Sequence, residues 1–121
     1  MEKMRAKLKR LHSPDVSDLE SFRPSDAEDF CILIQAMFGP ENSEGEESFD
    51  FLLCTPQWLV RKMKEEAVLL GRHYLFIKQY DINAVKKYLV GYVGQCEGDT
   101  WNEIAQKLAR IGKWEFEDYR R

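Results

Sequence analysis

Residues 98–121 read GDTWNEIAQKLARIGKWEFEDYRR and contain a helix start, an amphipathic helix, a helix end and a strand, in that order. Thr100 is suited to cap the helix, and Glu103 lies where its side chain would complete a capping box. Gly112 stands where a glycine commonly ends a helix. The apolar residues that recur at helical spacing between them are Trp101, Ile104, Ala105, Leu108 and Ile111.

The final strand predicted by this stretch has two different faces. Trp114 and Phe116 point one way, whereas Glu115, Glu117 and Tyr119 point the other, because side chains alternate along a strand. The acidic face is either the solvated side of a sheet or a working surface of the protein. Paired acids could hold a metal or perform acid–base chemistry, although acids that alternate along a strand are more often simply solvated.

The composition is that of one ordinary globular domain, which we expect to span residues 1–121. No apolar run is long enough to span a bilayer, and the basic N-terminus lacks the apolar segment of a signal peptide. The three cysteines are odd in number and widely spaced, which is typical of reduced thiols. These features predict a cytoplasmic protein that does not bind membranes.

The net charge of −3 conceals a strong local imbalance. Residues 12–50 contain eleven acids and one base, a net of −10, so the remaining residues carry +7. Such local acidity argues against nucleic-acid binding through this third of the chain and suits a basic partner. The alternative is that the acids are solvated loops that keep the protein soluble.

Strand and helix patterns alternate along the rest of the chain. An opening amphipathic strand ends at residues 13–15, and further strands are predicted at residues 29–38, 48–54 and 73–80. Thr55-Pro56 begins a helix that runs to about residue 66, and Asp81 caps another that ends at Gly98. The predicted order is β-β-β-α-β-α-α-β, an α+β fold in which three helices pack on a mostly antiparallel sheet of about five strands.

The motifs of several enzyme classes are absent from the sequence. There is no glycine-rich phosphate loop, no zinc-ligand spacing and no nucleophile elbow. All three cysteines lie in apolar patterns, which favours buried structural thiols, although a cysteine and a histidine could still meet in space. The sequence therefore predicts no catalytic residues, no metal and no cofactor, and a protein that binds rather than reacts.

Several short motifs are more specific together than any one of them alone. They are residues 11–15 (LHSPD), 30–31 (FC), 35–37 (QAM), 45–51 (GEESFDF), 54–59 (CTPQWL), 71–73 (GRH) and 110–119 (RIGKWEFEDY). In combination they resemble the immunity protein 8 (Imm8) family of bacterial polymorphic toxin systems. The resemblance implies a small α+β protein that binds and neutralises a cognate toxin inside the producing cell, in competition between bacteria. It does not identify the toxin, for which a nuclease with a basic cleft is one candidate.

The acidic segments are the predicted toxin-binding surface, since carboxylates complement a basic cleft and speed association. The predicted contact residues are Asp15, Asp18, Glu20, Glu41, Glu44, Glu46, Glu47, Glu115, Glu117 and Tyr119. Two other functions stay open: a general adaptor with an acidic binding face, and a small enzyme that uses clustered carboxylates. An adjacent toxin gene would favour the first function over the adaptor, and the enzyme requires Glu115 or Glu117 to converge with other acids in a pocket.

Overall fold

The computed structural model of the protein describes residues 3–117. Within this part of the chain, six strands and three α-helices follow the order β1-β2-β3-α1-β4-α2-β5-α3-β6. The strands are β1 (Met4–His12), β2 (Cys31–Pro40), β3 (Glu47–Cys54), β4 (Tyr74–Phe76), β5 (Glu97–Gly98) and β6 (Lys113–Trp114). The helices are α1 (Pro56–Lys62), α2 (Ile82–Val93) and α3 (Trp101–Leu108). The predicted α+β class and order are confirmed, with the two-residue β5 as an addition.

The six strands form one mixed sheet in the order β4-β3-β2-β1-β5, and β6 also pairs with β3. All the pairings are antiparallel except that of β3 with β4, which is parallel. The parallel pair is possible because α1 and the segment after it bring the chain back alongside β3, so that β4 runs in the same direction as β3. The long strands β2 and β3 therefore form the centre of the sheet.

One face of the sheet, here called the inner face, forms the hydrophobic core with α2 and α3. Alternate side chains of β2 and β3 point into it and are fully or almost fully buried, as the alternation of a strand requires. The strand residues are Ile32, Ile34, Ala36, Phe38, Phe49, Phe51 and Leu53. The helices contribute Ile82, Val85, Leu89, Val93, Ile104, Ala105 and Leu108.

The opposite, outer face of the sheet is less covered. The β2 side chains between those of the core are apolar at Cys31, Leu33 and Met37, yet all three are only half-buried. Helix α1 has no buried residue, which distinguishes it from α2 and α3. The two faces of β2 therefore have different environments although both are apolar in sequence.

All three helices begin at the predicted caps. The Thr55 hydroxyl accepts a hydrogen bond from the backbone of Trp58, and the Asp81 carboxylate accepts from the next turn in the same way. The Thr100 hydroxyl accepts from Glu103 N at 3.2 Å, and Glu103 Oε2 in turn accepts from the backbone of Asp99 at 2.7 Å. This reciprocal pair is a capping box displaced by one residue.

Several predicted boundaries were too long. The helix predicted to reach residue 66 ends at Lys62, and the strand predicted at 73–80 covers only Tyr74–Phe76. Helix α2 ends at Val93, and Gly98 belongs to β5 instead of ending that helix. In each case the sequence pattern continues past the last residue that has the backbone hydrogen bonds of the helix or strand.

Gly112 has a different role from the predicted one. Helix α3 ends at Leu108 with Ala109 as its cap, so Gly112 does not end it. The backbone of Gly112 lies against β3, where an added Cβ would come within 2.8 Å of Phe49 C and 2.9 Å of Phe49 O. A glycine is needed here because no side chain fits between the two backbones.

Candidate interaction surface

The loop between β2 and β3 and the first residue of β3, residues 41–47, are here called the acidic hairpin because they carry four of the predicted contact residues. Three contacts from β1 hold it in place. The backbone N–H of Glu41 donates to Arg5 O at 2.9 Å, and Lys9 Nζ donates to Ser43 O at 2.7 Å. Arg10 Nε forms an ion pair with Glu46 Oε1 at 2.7 Å. The hairpin is therefore fixed to the neighbouring strand along its length.

A glycine pair brings the acidic hairpin close to the sheet. Gly45 has φ of +107°, a conformation that favours glycine, and its carbonyl points back toward β2. A Cβ at Gly39 would lie 2.1 Å from Gly45 O, so Gly39 must also lack a side chain. These contacts order the loop before any partner binds, which lowers the entropy cost of binding.

Glu47 connects the acidic hairpin to the C-terminal part of the fold. Its Oε1 accepts hydrogen bonds from Trp101 Nε1 at 2.7 Å and from Trp114 Nε1 at 2.8 Å. One carboxylate oxygen thus satisfies two half-buried indole donors, one from α3 and one from β6. The sequence does not predict this role, because the two tryptophans lie 54 and 67 positions after Glu47 and give no local signal.

The acids that follow β6 lie beside the acidic hairpin. Glu115 Oε1 accepts from the backbone of Ser48 at 2.7 Å, and the Glu115 N–H donates to Ser48 O at 3.1 Å. Glu117 lies further along, where Arg72 donates to both of its carboxylate oxygens at 2.7 and 3.0 Å. The fold thus brings Glu115 next to the hairpin. The predicted contact residue Tyr119 lies outside the described residues.

The other acidic segment, residues 15–20, contacts the first part of β2 through Asp15. Asp15 Oδ2 accepts from Leu33 N at 2.8 Å, near the first residues of β2, whereas the acidic hairpin follows the last residue of β2. The strand between Leu33 and Glu41 spans about 25 Å at the usual rise of a β-strand. The structure therefore places Asp15 far from the acidic hairpin along β2.

The acids of residues 15–20 all have partners. The carboxylate of Asp18 accepts from Glu20 N and from the Ser21 hydroxyl, which closes a local turn. Glu20 forms an ion pair with Lys86 of α2. Asp18, Glu20 and Lys86 border a groove of about 510 Å³ between β1, this loop and α2. Their charges stabilise the loop against the helix.

Two of the nine predicted contact residues in the described part of the chain have side chains without a hydrogen bond or ion pair to other described residues. They are Glu41 and Glu44, both exposed and both in the acidic hairpin. Glu46, Glu47 and Glu115 lie close to them but are engaged by cationic or N–H groups. The hairpin therefore presents two carboxylates that have no partner among residues 3–117, and the contacts of the neighbouring acids hold the loop around them in place.

The described residues contain neither a cluster of potential metal ligands nor a helix that could span a membrane. Among residues 3–117, no group of three or more histidines, cysteines or acids is placed to hold a metal ion. No helix of this part of the chain is both long and apolar enough to cross a membrane. Glu115 and Glu117 each bind a separate N–H or guanidinium group, at Ser48 and Arg72.

Comparison with known proteins gives one match. The family model described as Immunity protein 8 matches residues 6–119, which is nearly the whole chain. Curated proteins and solved structures gave no match. The matched range includes every strand and helix described above, apart from the first two residues of β1. This chain belongs to the immunity protein 8 family.

Proposed function

We propose that this protein binds a cognate toxin inside the producing cell and neutralises it by occupying its surface, without catalysis. Membership of the immunity protein 8 family is the observation that carries the proposal. The partner is a toxin domain with a basic surface, such as the substrate cleft of a nuclease, since the acidic third of the chain complements such a cleft.

The acidic hairpin with the adjoining Glu115 is the surface that we propose for toxin contact. The side chains of Glu41 and Glu44 are exposed and form no ion pair with the described residues, which leaves them available to lysine or arginine side chains of a partner. Its anchors on β1 hold the loop in one arrangement, so little ordering is needed when the toxin binds. Asp15 lies near the first residues of β2, and Glu20 is paired with Lys86 of α2. Together with Asp18, these acids contribute through the long-range field of the protein.

Co-expression with the C-terminal domain encoded by the neighbouring toxin gene tests the function. We expect the protein to restore growth of cells that produce the toxin domain, and to co-purify with it. A toxin domain that still kills in the presence of abundant folded protein, and that does not co-purify, would contradict the proposal for that pair.

Charge reversal tests the proposed surface separately from the function. Glu44→Lys changes an unpaired acid in the acidic hairpin, and Glu28→Lys makes the same change at an unpaired, exposed acid near the start of β2. We expect Glu44→Lys to slow association by about three- to tenfold at low salt and to reduce its salt dependence. Glu28→Lys is the matched control and should have a much smaller effect. Equal effects of the two variants would show that only net charge matters and that the hairpin is not the contact surface.

A further inference from the structure

Cys31 and Cys54 lie directly opposite each other on β2 and β3. Their sulfur atoms are 2.9 Å apart, and the Cys54 thiol donates to Cys31 Sγ. The two residues are 23 positions apart in sequence, so their spacing gave no indication that they meet. Both are free thiols in this structure.

The backbone hydrogen bonds around the pair show that the two cysteines occupy closely spaced positions on neighbouring strands. Thr55 N donates to Phe30 O at 3.2 Å, and Phe30 N donates to the Thr55 hydroxyl at 3.2 Å, so residues 30 and 55 face each other through hydrogen bonds. The adjacent pair, Cys31 and Cys54, is therefore a non-hydrogen-bonded pair, in which the Cα atoms are about 4.5 Å apart. That separation lies within the range spanned by disulfides, at its short end.

The two thiols have different environments. Cys31 is half-buried on the outer face of the sheet, whereas Cys54 is 0% exposed. The hydrogen bond from Cys54 lowers the pKa of the Cys31 thiol and outweighs the opposing effects of burial and of Asp15, while Lys62 acts in the lowering direction. The same hydrogen bond, together with burial, raises the pKa of the Cys54 thiol. Cys31 is therefore the accessible thiol and the one that more readily becomes a thiolate, which is the nucleophilic form.

We propose that Cys31 and Cys54 form a redox-active dithiol that a low-molecular-weight disulfide, such as oxidised glutathione, converts reversibly to an intramolecular disulfide. This property is independent of toxin binding, because it uses only the contact between β2 and β3. A pair that is partly exposed and at the short end of disulfide geometry has the character of a labile bond, not of a permanent structural one.

The reaction proceeds in two exchange steps. The Cys31 thiolate attacks one sulfur of oxidised glutathione, so the glutathione S–S bond breaks, a mixed disulfide forms on Cys31, and one glutathione thiolate leaves and takes up a proton. Cys54 Sγ then attacks Cys31 Sγ and expels the second glutathione as a thiolate, which takes up the proton that Cys54 gives up. The two protein thiols are oxidised, and one glutathione disulfide is reduced to two glutathione molecules. Proximity favours the second step over release of the mixed disulfide.

Cys96 provides a matched control within the chain. It is buried, its Sγ donates to Tyr92 O at 3.5 Å, and burial raises the pKa of its thiol. It lies beyond α2, and no other described cysteine is hydrogen-bonded to it. Cys96→Ser should therefore leave oxidation of the dithiol unchanged.

The test is equilibration of the purified, folded protein with mixtures of reduced and oxidised glutathione, followed by acid quenching, alkylation and mass spectrometry. We expect two of the three thiols to be lost together, with a mass decrease of two hydrogen atoms and full recovery on reduction. Residues 24–60 contain no lysine or arginine, so trypsin leaves both cysteines on one peptide. A glutamate-specific protease cuts between them in the acidic hairpin and shows the linkage directly.

The variants distinguish the roles of the two sulfurs. Cys54→Ser should accumulate a single glutathione adduct on Cys31, and Cys31→Ser should form no intramolecular disulfide. Wild-type protein that retains three alkylatable thiols in oxidised glutathione would overturn the proposal, as would a linkage to Cys96 or adducts that never resolve. Because the linkage is mapped in the wild-type protein, the result does not depend on whether either variant folds.

Discussion

Replacing Glu47 tests the structural role that the fold assigns to an acid of the acidic hairpin. Glu47 Oε1 accepts from Trp101 Nε1 at 2.7 Å and from Trp114 Nε1 at 2.8 Å. Glu47→Ala leaves two half-buried indole N–H groups without an acceptor, whereas Glu47→Gln keeps a neutral acceptor of the same shape. The two variants therefore separate loss of the hydrogen bonds from loss of the charge.

The expected magnitudes follow from the number and exposure of these bonds. An unsatisfied buried donor costs about 1–3 kcal/mol, and partial exposure allows water to replace part of each bond. Each of the two donors should therefore cost about 1–1.5 kcal/mol, so we expect Glu47→Ala to lower the free energy of unfolding by about 2–3 kcal/mol in total. Glu47→Gln loses only the charge assistance, which is worth about 1 kcal/mol for the pair.

Urea unfolding followed by tryptophan fluorescence measures both effects. With a denaturant dependence of about 2 kcal/mol per molar urea, typical of a small protein, the midpoint for Glu47→Ala should fall by about 1–1.5 M. Glu44→Ala is the matched control, since it makes the same change in the same loop at a side chain without a partner, and should stay within about 0.5 kcal/mol of wild type. If the Ala variants at positions 44 and 47 have equal stabilities, Glu47 does not hold the two indoles.

Two further predictions concern stability. Gly112→Ala should destabilise the protein by about 1–3 kcal/mol in urea unfolding, because the added Cβ would collide with the backbone of β3. Gly71→Ala is the control: its Cβ would enter open space, so its stability should equal that of wild type. Equal stabilities of the two variants would refute the close approach of Gly112 to β3. The hydrogen bonds from Arg61 hold the pKa of Asp29 below its ordinary value of 3.8. The Asp29 carboxylate therefore stabilises the folded protein above pH 3.8, and this stabilisation is lost as the pH falls through the lower pKa of the folded state. Asp29→Asn should therefore lose less stability than wild type between about pH 4 and pH 2, and identical pH profiles from urea unfolding would contradict the pairing.

Local interactions made much of the fold predictable. The caps at Thr55, Asp81 and Thr100 are set by side chains that bond the backbone within a few residues, so the starts of all three helices follow from the sequence. The alternation of β3 likewise indicates which of its side chains enter the core, whereas β2 is apolar on both faces in sequence and the structure alone shows which face is inner. Helix and strand ends were less predictable, because tertiary pairing decides where an element stops.

The features that depend on distant contacts could not be predicted. The acid pattern marked Glu47 and Glu46 alike as surface acids, yet one is held by two indoles and the other by Arg10. Asp15 also lies near the first residues of β2 whereas the acidic hairpin follows its last, although composition treats these acids as a single acidic region. Gly112 matched a helix-end signal because a glycine required by close packing looks the same in sequence.

Inhibition of the purified toxin domain encoded by the neighbouring gene tests the central claim most directly. Toxin activity should be measured while this protein is added in increasing amounts, at a toxin concentration well above the dissociation constant. We expect activity to fall linearly and to be lost at about one equivalent, as tight, stoichiometric binding requires. Toxin activity that remains complete in a large excess of the folded protein would contradict neutralisation by direct binding.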